Sequence, residues 1–493
     1  MGAIAGAISK DGNDVCNEVL NMLKSMAHRG AKSSLLVYNS QSYSYFSLKS
    51  TRFSERGSAV IGVIFREDEG IIHSEPTLTG VDATIIALTD KIPLDLSKQR
   101  GSGPLFDKPI LEHKEPKTEF QSIIFKISKQ LQDSYSIVGK LQDEIIAFRD
   151  PIGIKPLFFS ESDSIFAFAS EPMALRDIGM NWTQAVPIGK MINLHKKDFQ
   201  IIPINRLLRP STLNIDIKSF SNMLSTALES AIKRLTFNRD CCAVAFSGGI
   251  DSTILARISE SINVEPKVYA AGIEGSHDIS SSKYVASKLD YDYTAITLSI
   301  NDVERLVDEV LKIIMDPSPM MIGIGIPLFS TAETVHNDGF DSLLLGQGAD
   351  ELFGGYSRYC KILREEKEEF LVETLWKDLL NAHKTNLLRD DSVCMVNSVT
   401  PLYPYLSLDV VNIAARIPIE FKVAGPDDVL RKLVLRMVGK MYDLPDEIVN
   451  KKKKAVQFGS GVTKAISQIA RKNGFNNSRD YLAKKYEKIV EDN

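Results

Sequence analysis

The sequence predicts two fold classes in succession: an α+β sandwich over residues 1–205, then an α/β doubly wound parallel sheet with a helical C-terminal region over 213–493. Three observations carry this. Up to about residue 200, short apolar runs alternate with turn residues, and only two stretches have helical spacing. After Leu213 strands alternate with amphipathic helices, the pattern of a parallel sheet. From about residue 356 no convincing strand run follows, and the rest reads as helix. A chain of 493 residues exceeds what one hydrophobic core supports, and the pattern changes near Pro203–Pro210.

The elements justify this in order. MGAIAGAIS runs into Lys10-Asp11-Gly12 as a buried strand runs into a turn. Helical spacing at 15–27 and 118–132 is set among the strand runs SYSYFSLKS, SAVIGVIF, ATIIALT, EIIAF and SIFAFAS. In the second half a helix (SFSNMLSTALESAIKRL) leads to a strand (CCAVAF), a glycine turn, a helix (STILARISESI) and a strand (KVYAAGI). The order continues as helix (SSKYVASKL), strand (YTAITL), helix (VERLVDEVLKIIM), helix (FSTAETVHN) and strand (SLLLG). REEKEE at 364–369 reads as the solvated face of a helix.

Composition excludes several functions. The formal charge of −4 is small for this length, which argues against a chain-wide nucleic-acid or membrane footprint. No run approaches the ~18 apolar residues of a membrane span. No basic region precedes the N-terminal apolar stretch, so a signal peptide is not expected. The myristoylation pattern wants Ser or Thr at position 6, where this chain has Gly6. Five cysteines without CxxC spacing and seven scattered histidines support neither a zinc site nor a disulfide framework, and a cytoplasmic location fits best.

The chemistry lies in AVAFSGGIDST, residues 243–253. An apolar strand ends in Ser247-Gly248-Gly249, and Asp251-Ser252 open a helix. Two glycines allow a tight turn that points consecutive N–H groups inward beside the positive helix end, which makes an anion cradle. No GxxxxGK[ST] occurs, so this phosphate loop carries an acid where the Walker type carries a lysine. A carboxylate facing a polyphosphate implies a bridging Mg²⁺. A lone SGG would be only a capped turn; strand, acid, second serine and helix in register argue for more.

SGGIDS resembles the pyrophosphate loop of the N-type ATP pyrophosphatases. AAGIEGSHDISSSKYVA (270–286) and LLLGQGADELFGGY (343–356) narrow the resemblance to asparagine synthetase and its relative β-lactam synthetase. In the N-terminal half HRG (28–30), FRDPIGIKPLFF (148–159) and FASEPMAL (168–175) are similar to the class II amidotransferase domain of that family, an Ntn-hydrolase-like sandwich of two antiparallel sheets between helices. The resemblance implies a two-step ligase: a carboxylate attacks the α-phosphate of ATP, giving acyl-adenylate and pyrophosphate, and an amine then displaces AMP. On that pattern Ser247, Gly248, Gly249 and Ser252 hold pyrophosphate, Asp251 and Asp350 ligate Mg²⁺, and Ala271, Leu345 and Gly346 contact adenine, largely through backbone. The family's catalytic lysine falls in KKKKAVQFGSGV (451–462), at Lys453 or Lys454 with Lys453 preferred; the other lysines of the run read as surface.

Three departures qualify the resemblance. Glutamine-using members begin Met-Cys-Gly, and their exposed cysteine attacks glutamine; here that position is Gly2, and the family's Asn-Gly is absent from IIALTDKIP (85–93). Arg29, matching the residue that grips the glutamine carboxylate, survives, but without the cysteine and the Asn-Gly the N-terminal domain is expected to be an inactive glutaminase. Gln347 replaces a glutamate of the family, and a carboxamide cannot act as a base at neutral pH. Met320, Met321 and Gly323 stand where a Thr-Thr-x-Arg segment holds aspartate. The expected reactants are therefore a small carboxylic acid, ATP and ammonia or an amine, and the acid is left open. The alternatives are a β-lactam-synthetase-like ligase whose amine lies in its own substrate, and a nucleotide-binding scaffold or regulatory subunit. A homodimer and a separate nitrogen-donor protein are both compatible with this reading.

Overall fold

The computed structural model of the chain describes residues 3–29, 33–39, 42–45, 59–65, 84–89, 111–113, 118, 121–122, 134–141, 144–195, 198–452 and 459–491. Gly2, Lys453 and Lys454 lie outside the described residues, as does most of the helix expected at 118–132. The chain divides into two compact units, Met1–Pro210 and Ser211–Asn493.

The first unit is built on two antiparallel sheets. Its strands are β1 (Ala3–Ser9), β2 (Ser33–Asn39), β3 (Ser42–Tyr45), β4 (Ala59–Phe65), β5 (Thr84–Thr89), β6 (Leu111–His113), β7 (Tyr135–Leu141), β8 (Glu144–Arg149), β9 (Phe158–Glu161), β10 (Ile165–Ala169), β11 (Gln184–Ala185), β12 (Lys190–Leu194), β13 (Phe199–Pro203) and β14 (Asn205–Leu207). One sheet has the order β11-β9-β10-β1-β4-β2-β3 and the other β13-β12-β8-β7-β5; β6 and β14 form a separate pair. Apolar residues of both sheets, among them Ile4, Ile8, Ile61, Val138, Phe168 and Ile192, make one buried core. Strand alternation puts Ile4, Gly6 and Ile8 on the face toward that core, while the small Ala3, Ala5 and Ala7 leave room on the other. There α1 (Cys16–Ser25) packs against β1 and β4. Gly6 pairs with Phe168 in register, and a Cβ at Gly6 would overlap the Phe168 ring. Position 6 is thus glycine for packing. A short helix, α2 (Pro172–Arg176), follows β10.

The second unit opens with α3 (Ile217–Leu235), capped where Asp216 accepts from the Ser219 N–H. Then come β15 (Cys241–Ala245), α4 (Ile250–Ser261), β16 (Glu265–Ile273), α5 (His277–Leu289), β17 (Asp292–Leu298), α6 (Ile300–Ile314), α7 (Pro319–Asn337) and β18 (Ser342–Leu344). After β18 the described chain is helical apart from β19 (Thr400–Leu402): α8 (Ala349–Phe353), α9 (Ser357–Glu365), α10 (Glu368–Asn381), α11 (Asn386–Met395), α12 (Leu408–Arg416), α13 (Leu433–Met441), α14 (Asp446–Val449), α15 (Val462–Lys472) and α16 (Ser478–Glu491). All pairs in the sheet β17-β16-β15-β18-β19 are parallel. Strand order therefore reverses between β15 and β18, and the crevice beyond the carboxyl ends of those two strands is where such sheets hold ligands.

Three expectations change here. β19 was not expected after residue 356; its three residues are too short to show a period, and their pairing with β18 makes them a strand. There the Thr400 N–H donates to the Asp341 carbonyl and the Leu345 N–H to the Leu402 carbonyl. Helix α7 begins ten residues before FSTAETVHN, because Pro319 sits in its first turn, where a missing N–H costs nothing, and Pro327 is carried inside. REEKEE is exposed as expected, but it spans the break between α9 and α10. Among the described residues, no single helix is long and apolar enough to cross a membrane.

Candidate active site

The turn after β15 is built around Gly248, whose φ of +64° is a conformation that side chains disfavour. A Cβ there would also stand 2.7 Å from the Ser281 carbonyl oxygen. Ser247 closes the turn by accepting from the Gly249 N–H at 3.3 Å, and Gly249 is the N-cap of α4. The Ser281 hydroxyl donates to the Ser247 carbonyl at 3.1 Å, tying α5 to the loop. The Ser252 and Thr253 hydroxyls both donate to the Gly249 carbonyl. The result is a hydrogen-bonded turn at a helix N-terminus, a cradle whose geometry suits an anion.

A cavity of about 780 Å³ opens beside the cradle. Ser247, Asp251, Ser252, Ala271, Leu345, Gly346 and Asp350 all line it; Gly248 and Gly249 shape the turn behind. Ala271 and Leu345 come from the ends of β16 and β18, and Gly346 lets the second loop approach Asp251, whose Cβ would lie 3.3 Å from a Cβ at Gly346. Leu345 has already committed its N–H to Leu402.

Sequence reasoning missed Lys432. Its ammonium, 1% exposed, donates to both carboxylate oxygens of Asp251 at 2.7 Å and lies 2.6 Å from Asp350 Oδ1. The two acids lie in the first turns of α4 and α8, the helices that follow β15 and β18, 99 residues apart in sequence, and this cation joins them. Removing one partner from such a buried network costs about 3–5 kcal/mol. The signal in the sequence was too weak to find it, since a lone lysine ahead of an amphipathic helix resembles any solvated one. Lys451 corrects the expectation that the other lysines of its run are surface. It donates to the Ser281 hydroxyl and lies 3.4 Å from the Gly248 carbonyl.

The far wall carries Glu351, to which the 343–356 motif assigned no role, and polar groups of α11 that lie outside any motif. Glu351, on α8, is buried; its Oε1 accepts from the Tyr356 hydroxyl at 2.6 Å and Asn386 Nδ2 at 3.1 Å, while Oε2 has no hydrogen-bond partner. Burial first, then the charge of Asp350, raises its carboxyl above the usual range. One turn beyond Asn386 on α11, Arg389 pairs with Asp390 at 2.6 Å and leaves Nη1 without a partner. Of the three residues at the expected aspartate segment, only Met320 lines the cavity, with Ile324, Pro327 and Leu328 of α7. Met321 is buried, and a Cβ on Gly323 would press on Thr463. Gln347 does line the cavity.

In the first unit Arg29 is buried, and its Nε donates to Glu171 at 2.5 Å, with His28 at 2.8 Å from the same carboxylate oxygen. Burial alone would raise the Glu171 carboxyl, but Arg29 and His28 override it and hold it down at about 2. Arg29 therefore already carries a protein carboxylate. In FRDPIGIKPLFF, Asp150 accepts the backbone N–H groups of Ile152, Gly153, Ile154 and Lys155 at 2.6–3.1 Å, so that motif builds a turn.

The asparagine synthase family model matches residues 223–373 and 364–486, more than half of the chain, and a glutamine amidotransferase domain model matches 125–177. The chain belongs to the asparagine synthase family. Within it the chain is an asparagine synthetase-like carbon–nitrogen ligase carrying an amidotransferase-type domain. It is 33% identical over 404 residues to a provisionally named glutamine-hydrolysing asparagine synthetase of Methanocaldococcus jannaschii, covering 72% of this chain and 74% of that protein. Against the asparagine synthetase of Asparagus officinalis the identity is 26% over 350 residues, 67% of this chain and 57% of the plant enzyme's length. Among solved structures, the glutamine phosphoribosylpyrophosphate amidotransferase of B. subtilis matches at a TM-score of 0.32 and 15% identity, covering 55% of this chain and 67% of that one.

Proposed function

We propose that this member of the asparagine synthase family is an ATP-dependent, AMP- and pyrophosphate-forming amide ligase that takes its nitrogen from ammonia or an amine. The convergence of Asp251 and Asp350 on one point beside the anion cradle carries this reading. Residues 213–493 would perform the ligation, and residues 1–205 would be an amidotransferase-type domain without its nucleophile, since Gly2 offers an amine and no thiol.

Asp251 and Asp350 offer hard oxygen donors, and a cation already sits between them, so the pair fits Mg²⁺. Among the described residues no group of three or more His, Cys, Asp or Glu could hold a metal, so the remaining positions would be phosphate oxygens and water, as Mg²⁺ prefers. When bound, the ion would neutralise charge building on the leaving pyrophosphate. The chain's own residues do the rest. The cradle orients the β- and γ-phosphates; Ala271, Leu345 and Gly346 form the adenine wall; Lys451 supplies positive charge beside the Gly248 turn, and Lys453 or Lys454, outside the described residues, is the candidate catalytic cation by sequence. In the first step an oxygen of the acid bonds to the α-phosphorus and the bond to pyrophosphate breaks. In the second, the amine nitrogen bonds to the acyl carbon, AMP leaves, and the proton goes to water or a substrate oxygen, because Gln347 cannot take it. The acid would lie between the apolar face of α7 and the wall of Glu351 and Arg389, whose unpartnered Oε2 and Nη1 suit an acid with polar groups at its far end.

Pyrophosphate exchange into ATP, measured with a panel of carboxylic acids with and without ammonium, tests this. Turnover with one acid plus ammonium, abolished in Asp251→Ala and not supported by glutamine, is the expected result. Nucleotide binding without exchange for any acid would favour the scaffold alternative.

A further inference from the structure

Lys432 and the residue before it are held in an unusual backbone. Arg431 and Lys432 have φ of +54° and +57°, the left-handed region, and neither is glycine. Consecutive residues with side chains persist there only where the surroundings over-determine them. Here they do. The Lys432 N–H donates to the Lys422 carbonyl at 2.5 Å, the Arg431 N–H to Asp428 at 2.8 Å, Arg431 Nε to the Gly355 carbonyl at 3.0 Å, and Arg436 Nε to the Arg431 carbonyl at 2.6 Å. The Lys432 side chain then crosses Gly355, where a Cβ would overlap both Lys432 Cε and Asp350 Oδ1. Strained backbone, a glycine under the alkyl chain and three short contacts to two carboxylates together aim one ammonium at one point.

We propose that Lys432 is a resident cation that stands between Asp251 and Asp350 in the nucleotide-free protein, so that the divalent ion enters only together with the triphosphate. A bare ion would have to pull Asp251 or Asp350 away from a buried ammonium, whose close contacts among the described residues are those two carboxylates and which would then need a further anion beside it. An ion arriving on a triphosphate brings that anion, because a phosphate oxygen can accept the displaced ammonium. Metal and nucleotide then load as a coupled pair. The inference rests on the phosphate-site reading of the loop and is independent of which acid or amine is used.

The experiment is Mn²⁺ binding, followed by the loss of the free-ion EPR signal, with nucleotide, acid and turnover left out of the first arm. Wild-type protein is expected to leave Mn²⁺ free without ATP and to bind it with ATP. Lys432→Met is expected to bind Mn²⁺ without nucleotide roughly tenfold or more tightly than wild type, the range of ordinary coupling between sites. Lys432→Arg should return to wild-type behaviour, and adding Asp251→Asn to Lys432→Met should remove the gain. Its thermal melting should rise with Mn²⁺ alone, where that of the wild type does not. Wild-type protein that binds Mn²⁺ without ATP as tightly as Lys432→Met overturns the proposal. If Lys432→Met does not accumulate folded, the wild type decides alone: tight Mn²⁺ binding without ATP overturns the proposal, and binding only with ATP supports it. Failure of Mn²⁺ with ATP to bind at all would sink the phosphate-site reading and this inference with it, an outcome separate from a failure to find the acid.

Discussion

At Gly248 two constraints meet, a left-handed φ and a carbonyl 2.7 Å from any added Cβ. Gly248→Ala is therefore expected to abolish ATP binding in calorimetry while the far-ultraviolet circular dichroism stays that of the native chain, because the strain is confined to one turn. Glu171 permits a prediction with a sign. Its carboxyl, near 2 when folded and near 4.5 when unfolded, contributes stability that is complete above pH 4.5 and lost as pH falls toward 2. The shift is worth on the order of 3 kcal/mol, so Glu171→Gln should lower the melting temperature at pH 7 and flatten the acid limb between pH 4.5 and 2. Unchanged acid melting in the variant would remove Arg29 and His28 as the cause. Gly248 was legible in the sequence because glycine in a strand-to-helix turn has few other uses. Lys432 was not, because its role depends on two acids that only the folded sheet brings together.

Among the elements, the segment between α12 and α13 bears the unusual charge. Lys422 is buried, and desolvation pushes its amine down to about 7. The unfolded chain holds that proton up to about 10.5, so folding is penalised fully below pH 7, and the penalty fades as pH rises toward 10.5. Lys422→Met is expected to raise the melting temperature at pH 6, with the gain shrinking at pH 10; a pH-independent difference would refute the buried-charge account. Gly355→Ala should do the reverse nearby, displacing Lys432 from Asp350 and lowering thermal stability at neutral pH. Long periodic elements such as α3, α4 and β16 were readable from spacing alone. The start of α7 was hidden by its glycines and prolines, whose low helix propensity is overridden by packing against α6, α11 and α15.

On the scale of the whole molecule, the order β17-β16-β15-β18-β19 places the site, because the reversal between β15 and β18 puts their two following loops side by side. The alternation of strands and helices predicted a parallel sheet, but strand order is a long-range property and left no trace in spacing. If the division at Pro210 and Ser211 is also a division of labour, residues 211–493 expressed alone should melt cooperatively and retain pyrophosphate exchange with ammonium present. Loss of exchange in a folded fragment would show that the first unit is needed for ligation. The pairing of β19 has one more outcome. Thr400 and Leu402 turn their hydrogen-bonding groups toward β18, so Pro401 between them occupies the outward position of the sheet's last strand. Proline has no N–H to offer there. Pro401 is itself buried, with α11 packed against β19, so the ring leaves no stranded donor where the sheet passes into its helical cover.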